Sequence, residues 1–137
     1  MPNRNVHVPV GIAAAYAVKY YLHDKDSPIS LAEFIGLGLG GYCGGRAPDI
    51  IDPPTSPNHR AIGHSILAAG GGTIAVATKV KSIESYCKNQ ARMAYEQNDL
   101  LLQQLWLLAS GFSVGIIAGY ASHLLLDSTT PSGLPLY

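Results

Sequence analysis

A run of 27 residues without a charged side chain, Leu100–Leu126, limits the folds open to this chain more than any other feature. It exceeds the roughly 20 apolar residues that a helix needs to cross a bilayer. Charged residues make up only 13% of the chain, about half the roughly 25% found in soluble domains. Three further uncharged stretches cover residues 5–18, 34–45 and 61–78. The pattern predicts one all-α domain over residues 1–137, a membrane-embedded antiparallel bundle of about four helices.

Small residues recur at helical spacing inside these stretches. Gly36 and Gly40 share one helix face, as do Gly111, Gly115 and Gly119, because residues four apart lie on the same side of a helix. Such spacing lets helix backbones approach closely in membranes. The same faces suit association between copies of the chain, so a homo-oligomer is also predicted. Tight packing in a soluble bundle is an alternative.

Two local patterns place the helices. Residues 79–99 are rich in charge, with Glu84 and Lys88 at i,i+4 spacing, which predicts a polar connector that is partly helical. Ser30 followed three residues later by Glu33 predicts a capping box at the start of the second helix.

A cluster of prolines marks the segment between helices two and three. Proline is costly inside a helix because it lacks the amide hydrogen and its ring crowds the preceding turn. Residues 44–58 are therefore predicted to form a proline-stiffened loop, which carries the prolines at positions 48, 53, 54 and 57 and two acids, Asp49 and Asp52.

Charge balance and cysteine spacing exclude two common functions. The chain has nine basic and nine acidic residues, so the basic surface that nucleic-acid binding requires is not indicated. Cys43 and Cys87 match no CxxC or zinc-ribbon spacing. Both are predicted to be small buried residues.

The histidines and acids point to a site. In an antiparallel bundle of four helices, the starts of the odd helices and the ends of the even helices lie at the same end. The residues that fall at these places are His7, Asp49, Asp52, His59, His64, His123 and Asp127. Taken singly, each has an ordinary structural explanation, such as a turn capped by Asp49. Their joint convergence favours a site, because ionisable groups in a membrane are costly without partners.

The donor types indicate a divalent metal ion. Imidazole and carboxylate without thiolate suit zinc first, with manganese or iron as alternatives. His123 and Asp127 stand at i,i+4 and can bind one ion. The predicted metal ligands are His7, Asp49, His64, His123 and Asp127. His59 or Asp52 is the predicted general base. Arg60, next to His59, suits an anionic substrate group such as a phosphate ester.

The order of these motifs resembles the membrane-bound metal-dependent hydrolase family, also described as LexA-binding inner-membrane-associated hydrolases. That family shows an early histidine, a Leu-Pro-Asp-x-Asp loop, His-Arg, Thr-His-Ser, and Gly-Tyr-x-x-His-x-x-x-Asp followed by Thr-x-x-Gly. The matching positions here are His7, Pro48-Asp49, His59-Arg60, His64-Ser65, Gly119-Tyr120, His123, Asp127, Thr130 and Gly133. Two positions depart from the pattern: Asp52 comes one residue late, and Gly63 replaces the threonine.

The resemblance implies a membrane-bound, metal-dependent hydrolase of the inner (cytoplasmic) membrane. A phosphoester such as a lipid headgroup is the predicted substrate class, and membrane lipids are the predicted surroundings. The rival is a non-enzymatic membrane protein whose His/Asp cluster stabilises an oligomeric assembly. Lysines concentrate at the end opposite the motifs, so the positive-inside rule predicts a multi-pass protein with its site on the outer face.

Overall fold

The computed structural model describes residues 4–22, 27–51 and 73–129, and within them the chain forms four α-helices. These are α1 (Arg4–Leu22), α2 (Leu31–Ile51), α3 (Thr73–Glu96) and α4 (Leu100–Ser128). The described part of the chain contains no strand. The prediction of an all-α bundle of about four helices is confirmed.

Helices α2 and α4 form the most extensive contact of the bundle, while α1 packs on both of them and α3 packs on α4. Glycines make this contact close. A Cβ atom added to Gly40 would overlap backbone atoms of Phe112 and Ile116, and one added to Gly115 would overlap the backbone of Leu37. The glycine faces are therefore covered within one chain, and they no longer argue for association between copies.

A small apolar core lies between the helices. Its buried members are Ala15, Leu37, Val80, Val114 and Ala118. Tyr16 packs at the edge of this core, and its hydroxyl donates a hydrogen bond to the Phe34 carbonyl oxygen at 3.0 Å. Mostly small side chains fill this interior, which is why the backbones rather than long side chains set the helix spacing.

Helix α2 continues further than the proline pattern predicts. Residues 44–51 are helical and include Pro48, whose ring is buried in the bundle. A proline ring inside a helix crowds the carbonyl of the residue four positions earlier, which here is Gly44. Burial of the ring offsets the missing amide hydrogen bond. Asp49 consequently lies on the last turn of α2 rather than in a loop.

The charged segment that begins at residue 79 belongs to α3 as far as Glu96. One face of it is buried, since Val80, Cys87 and Ala91 are 5% exposed or less.

Cys43, in contrast with Cys87, is exposed, so the burial predicted for the cysteines holds for one of the two. Asp99 begins the next helix, because its carboxylate accepts a hydrogen bond from the Leu102 amide at 2.9 Å.

Among the described residues, one helix is long and apolar enough to cross a membrane, and it is α4. Large apolar side chains also lie exposed on the outside of the bundle, among them Leu101, Leu105 and Leu125. An outer surface of this kind is unfavourable in water and favourable against lipid chains.

A buried ion cluster joins the helices at the end opposite the predicted site. We call it the Lys19 cluster; it consists of Lys19, Glu33, Glu84, Lys88 and Ser110. Lys19 is 2% exposed. Its ammonium group binds the Glu33 carboxylate at 2.6 Å and also binds Glu84. Lys19 therefore turns into the bundle instead of extending to the membrane surface.

The same cluster changes the predicted capping box. The Glu33 amide donates to the Ser30 hydroxyl at 3.1 Å, as an N-cap requires. The Glu33 side chain does not complete the box, since its carboxylate binds Lys19 and accepts a 3.3 Å hydrogen bond from Ser110. The Glu33 carboxylate is therefore engaged in a long-range ion pair with Lys19 instead of the local hydrogen bond that a capping box requires.

Candidate metal centre

Three helix ends bring four of the predicted ligands together. His7 lies in the second turn of α1, Asp49 in the last turn of α2, and His123 and Asp127 in the last two turns of α4. We call these four residues the His–Asp site. His7, His123 and Asp127 are buried, and each offers a ligand atom within 4.8 Å of the others. The antiparallel bundle thus produces the convergence that the order of the motifs predicts.

The donor atoms of the site lie at distances that a shared metal ion would accommodate. His7 Nε2 lies 3.6 Å from Asp127 Oδ1, and His123 Nε2 lies 3.5 Å from Asp127 Oδ2 and 3.6 Å from Asp49 Oδ1. Ligand atoms at about 2.1 Å around a tetrahedral ion are about 3.4 Å apart.

A backbone carbonyl determines which nitrogen of His123 faces the acids. His123 Nδ1 lies 2.6 Å from the Gly45 carbonyl oxygen. Because a carbonyl only accepts hydrogen bonds, Nδ1 carries the proton and donates it. The Nε2 atom then faces Asp49 and Asp127, where it can bind a metal ion when unprotonated and pairs with the carboxylates when protonated. Metal-binding histidines are held in this way by a partner on their second nitrogen.

Two histidine rings stack at the centre of the site. The rings of His7 and His123 stack with their centroids 3.9 Å apart and an interplanar angle of 18°. Two imidazolium rings at this distance repel each other, so double protonation is disfavoured. One protonated ring and the guanidinium of Arg46, which lines the same cavity, together balance the carboxylates of Asp49 and Asp127. The charges of the site therefore do not by themselves require a metal ion.

The site opens into a cavity of about 400 Å³ between the start of α1 and the end of α2. Its lining residues are His7, Val8, Pro9, Gly45, Arg46, Asp49 and Ile50. The Asp127 side chain is 5% exposed, whereas that of Asp49 is 21% exposed. A ligand in the cavity therefore meets Asp49 and His7 while Asp127 stays behind them. Catalytic metal sites keep one position accessible in this manner.

Comparison with known families agrees with the membrane character of the outer surface. A model of the YdjM inner membrane protein family matches residues 1–137. The chain belongs to this family. Membership identifies an inner membrane protein with lipid surroundings and does not extend to the hydrolase and LexA-binding parts of the resemblance. No curated protein and no solved structure matches the chain.

Four predicted site residues of this family member fall outside the described residues. They are Asp52, His59, Arg60 and His64. Their predicted roles as base, anion-binding residue and further ligand remain predictions.

One described residue of the cavity, Arg46, was not predicted to serve the site. The signal for it is its i,i+3 spacing from Asp49, which becomes informative only when residues 44–51 are helical.

Proposed function

We propose that this chain is a multi-pass, metal-dependent hydrolase of the inner membrane that acts on a phosphoester, such as a lipid headgroup. One observation carries the proposal: ligand atoms of His7, His123 and Asp127 lie within 4.8 Å of one another, next to a cavity lined by His7 and Asp49.

His7, His123, Asp49 and Asp127 are the residues that would hold the ion. Two imidazoles and two carboxylates suit zinc, with manganese or iron as alternatives. A bound divalent ion would lower the pKa of a coordinated water and polarise the scissile group. His64 is a further ligand proposed from the sequence pattern.

The remaining roles are proposed from the sequence. Asp49 lines the cavity and lies close to His123, so as a ligand it would place the bound ion at the cavity wall. Asp52 or His59 is the proposed general base, and Arg60 is proposed to stabilise developing negative charge.

The site end is proposed to face the outer side of the membrane. Lys79, Lys81 and Lys88 on α3 are part of the lysine-rich half of the chain, and cytoplasmic segments are enriched in lysine and arginine. Because α4 ends at the site, alkaline phosphatase fused after residue 137 is expected to be active and a fused green fluorescent protein dark. The reverse pattern would place the site in the cytoplasm.

Metal analysis tests the proposed function. Detergent-purified wild-type protein is expected to contain about one equivalent of zinc, manganese or iron. His123→Ala and Asp127→Ala are expected to contain less than about a tenth of this amount, because each removes a ligand of a site with few donors. Elemental analysis per chain measures the content, and circular dichroism verifies that the helices persist.

Glu96→Ala is the matched control, since it removes an exposed acid at the other end of the bundle and should leave the metal content unchanged. A wild-type protein that stays metal-free after reconstitution would contradict the proposal. The alternative function would then hold: protonated His123 pairs with the two aspartates, and the cluster stabilises a non-enzymatic, oligomeric assembly. In that case His123→Ala should alter the oligomer observed by size-exclusion chromatography with light scattering.

A further inference from the structure

Arg46 stands between two cavities of different character. On one side it lines the cavity of the His–Asp site, together with His7 and Asp49. On the other side it lines a second cavity of about 260 Å³ near the end of α2. The other residues of this second cavity, here called the apolar cleft, are Tyr42, Cys43, Ala47, Ile50, Ile51 and Ile116. Ile50 borders both cavities, so the two are neighbours.

Tyr42 holds the Arg46 side chain at this junction. Arg46 Nη1 donates a hydrogen bond to the Tyr42 hydroxyl at 2.6 Å, and the guanidinium carbon lies 5.4 Å from the Tyr42 ring centroid. A guanidinium group has five N–H donors, and this contact uses one. The group is thus oriented while it keeps donors for a planar or tetrahedral anion, which arginine binds through paired hydrogen bonds.

We infer that the ligand of this region is an anionic amphiphile. Its phosphate group binds Arg46, its alkyl chain lies in the apolar cleft, and its ester bond faces the His–Asp site. The assignment of the reacting centre rests on the proposed function, whereas the binding of head and chain does not require a metal. Charge complementarity places the head, and burial of methylene groups between Ile50, Ile51 and Ile116 favours the chain.

Cys43 provides a direct probe because it is exposed and lines the apolar cleft. The second cysteine, Cys87, is buried, and burial raises the pKa of its thiol. Its reaction with maleimide should be slow, since the thiolate is the reactive form. The rate of Cys43 alkylation by N-ethylmaleimide, followed by peptide mass spectrometry, therefore reports occupancy of the cleft.

The experiment uses the full chain in neutral dodecyl maltoside micelles with EDTA present. Dodecyl phosphate at ten times its dissociation constant is expected to slow Cys43 alkylation about tenfold. Ethyl phosphate at the same concentration should leave the rate unchanged, because it lacks the chain. Arg46→Gln should weaken protection by dodecyl phosphate about tenfold, as expected when a charge-assisted contact is lost.

Arg92→Gln is the control, since Arg92 is exposed on α3 and lies outside both cavities; its protection should match wild type. Tyr42→Phe keeps the charge of Arg46 but removes the hydrogen bond that orients its guanidinium group. This variant should weaken protection several-fold while the thermal midpoint stays close to wild type. Equal protection by ethyl phosphate would indicate a site for free anions and overturn the inference. Equal protection of wild type and Arg46→Gln would overturn it as well. Because EDTA is present, neither result depends on whether the His–Asp site binds metal.

Discussion

Gly40→Ala is expected to lower the free energy of unfolding by about 3 kcal/mol, a large overpacking effect for one methyl group. The added Cβ would meet the backbone of Phe112, Gly115 and Ile116 on α4. Backbone atoms cannot rotate away as a side chain can, so the two helices must separate. For a domain of this size the midpoint of thermal unfolding should fall by about 10 °C. Metal content should fall too, because Asp49 on α2 must stay close to His123 on α4.

Gly38→Ala is the matched control on the same helix. A Cβ at Gly38 would meet only the hydroxyl end of the Tyr16 side chain, which can shift. Alanine should then stabilise the helix by up to about 1 kcal/mol through its higher helix propensity. Thermal unfolding in one detergent should therefore rank Gly38→Ala at or above wild type and Gly40→Ala well below it. Equal midpoints for the two variants would contradict the backbone packing of α2 on α4.

The sequence predicts the convergence of the His–Asp site because that convergence depends only on helix number and direction. His7 begins one helix, Asp49 ends the next, and His123 with Asp127 ends the last. Antiparallel connections place these positions at one end whatever the details of packing. The i,i+4 spacing of His123 and Asp127 likewise follows from helix geometry alone.

The Lys19 cluster could not be predicted in this way. Glu84 and Lys88 form a local pair that spacing reveals. The contacts of Lys19 with Glu33 and Glu84 join residues 14 and 65 positions apart, and they depend on how three helices rotate about their axes. The capping-box pattern also misleads, since it assigns the Glu33 carboxylate to a local backbone amide.

Pro48 and Cys43 show a second limit of sequence patterns. Proline predicts the end of a helix on average, but here α2 continues to Ile51 with the ring of Pro48 buried. These eight helical residues, 44–51, include Arg46 and Asp49, so a loop assignment does not reveal how the two side chains relate to the cavity. Burial of cysteine is likewise an average tendency, and the glycine-rich contact of α2 with α4 leaves Cys43 on the outer side.

Lys19→Met is expected to destabilise the protein by about 3–5 kcal/mol at pH 7, the range for removing one partner of a buried ion pair. Methionine keeps most of the side-chain volume, so the loss comes from the carboxylates of Glu33 and Glu84. Burial by itself raises the pKa of Glu84, but the hydrogen bond and charge of Lys19 outweigh it and lower that pKa below its usual value. The stabilisation is therefore present above the ordinary carboxyl pKa of 4.5 and is lost as the pH falls through the lower folded value.

In Lys19→Met the burial of Glu84 is opposed only by Lys88, so its pKa should rise relative to wild type. Acid should then neutralise a costly charge in the variant while it weakens a favourable pair in wild type. The difference in unfolding free energy should shrink between pH 7 and pH 4, as measured by thermal unfolding. Adding Glu33→Gln to Lys19→Met should recover part of the loss, because the amide keeps a hydrogen-bonding group near Ser110 without a buried charge.

Lys81→Met is the matched control, since Lys81 is exposed on α3 and its loss should change stability by less than about 0.5 kcal/mol. If Lys19→Met behaves like Lys81→Met at both pH values, the Lys19 cluster does not hold α1 and α3 together. Metal content provides an independent comparison, because the cluster and the His–Asp site lie at opposite ends of the bundle. A folded Lys19→Met variant that retains its metal would show that the charge cluster contributes to stability alone.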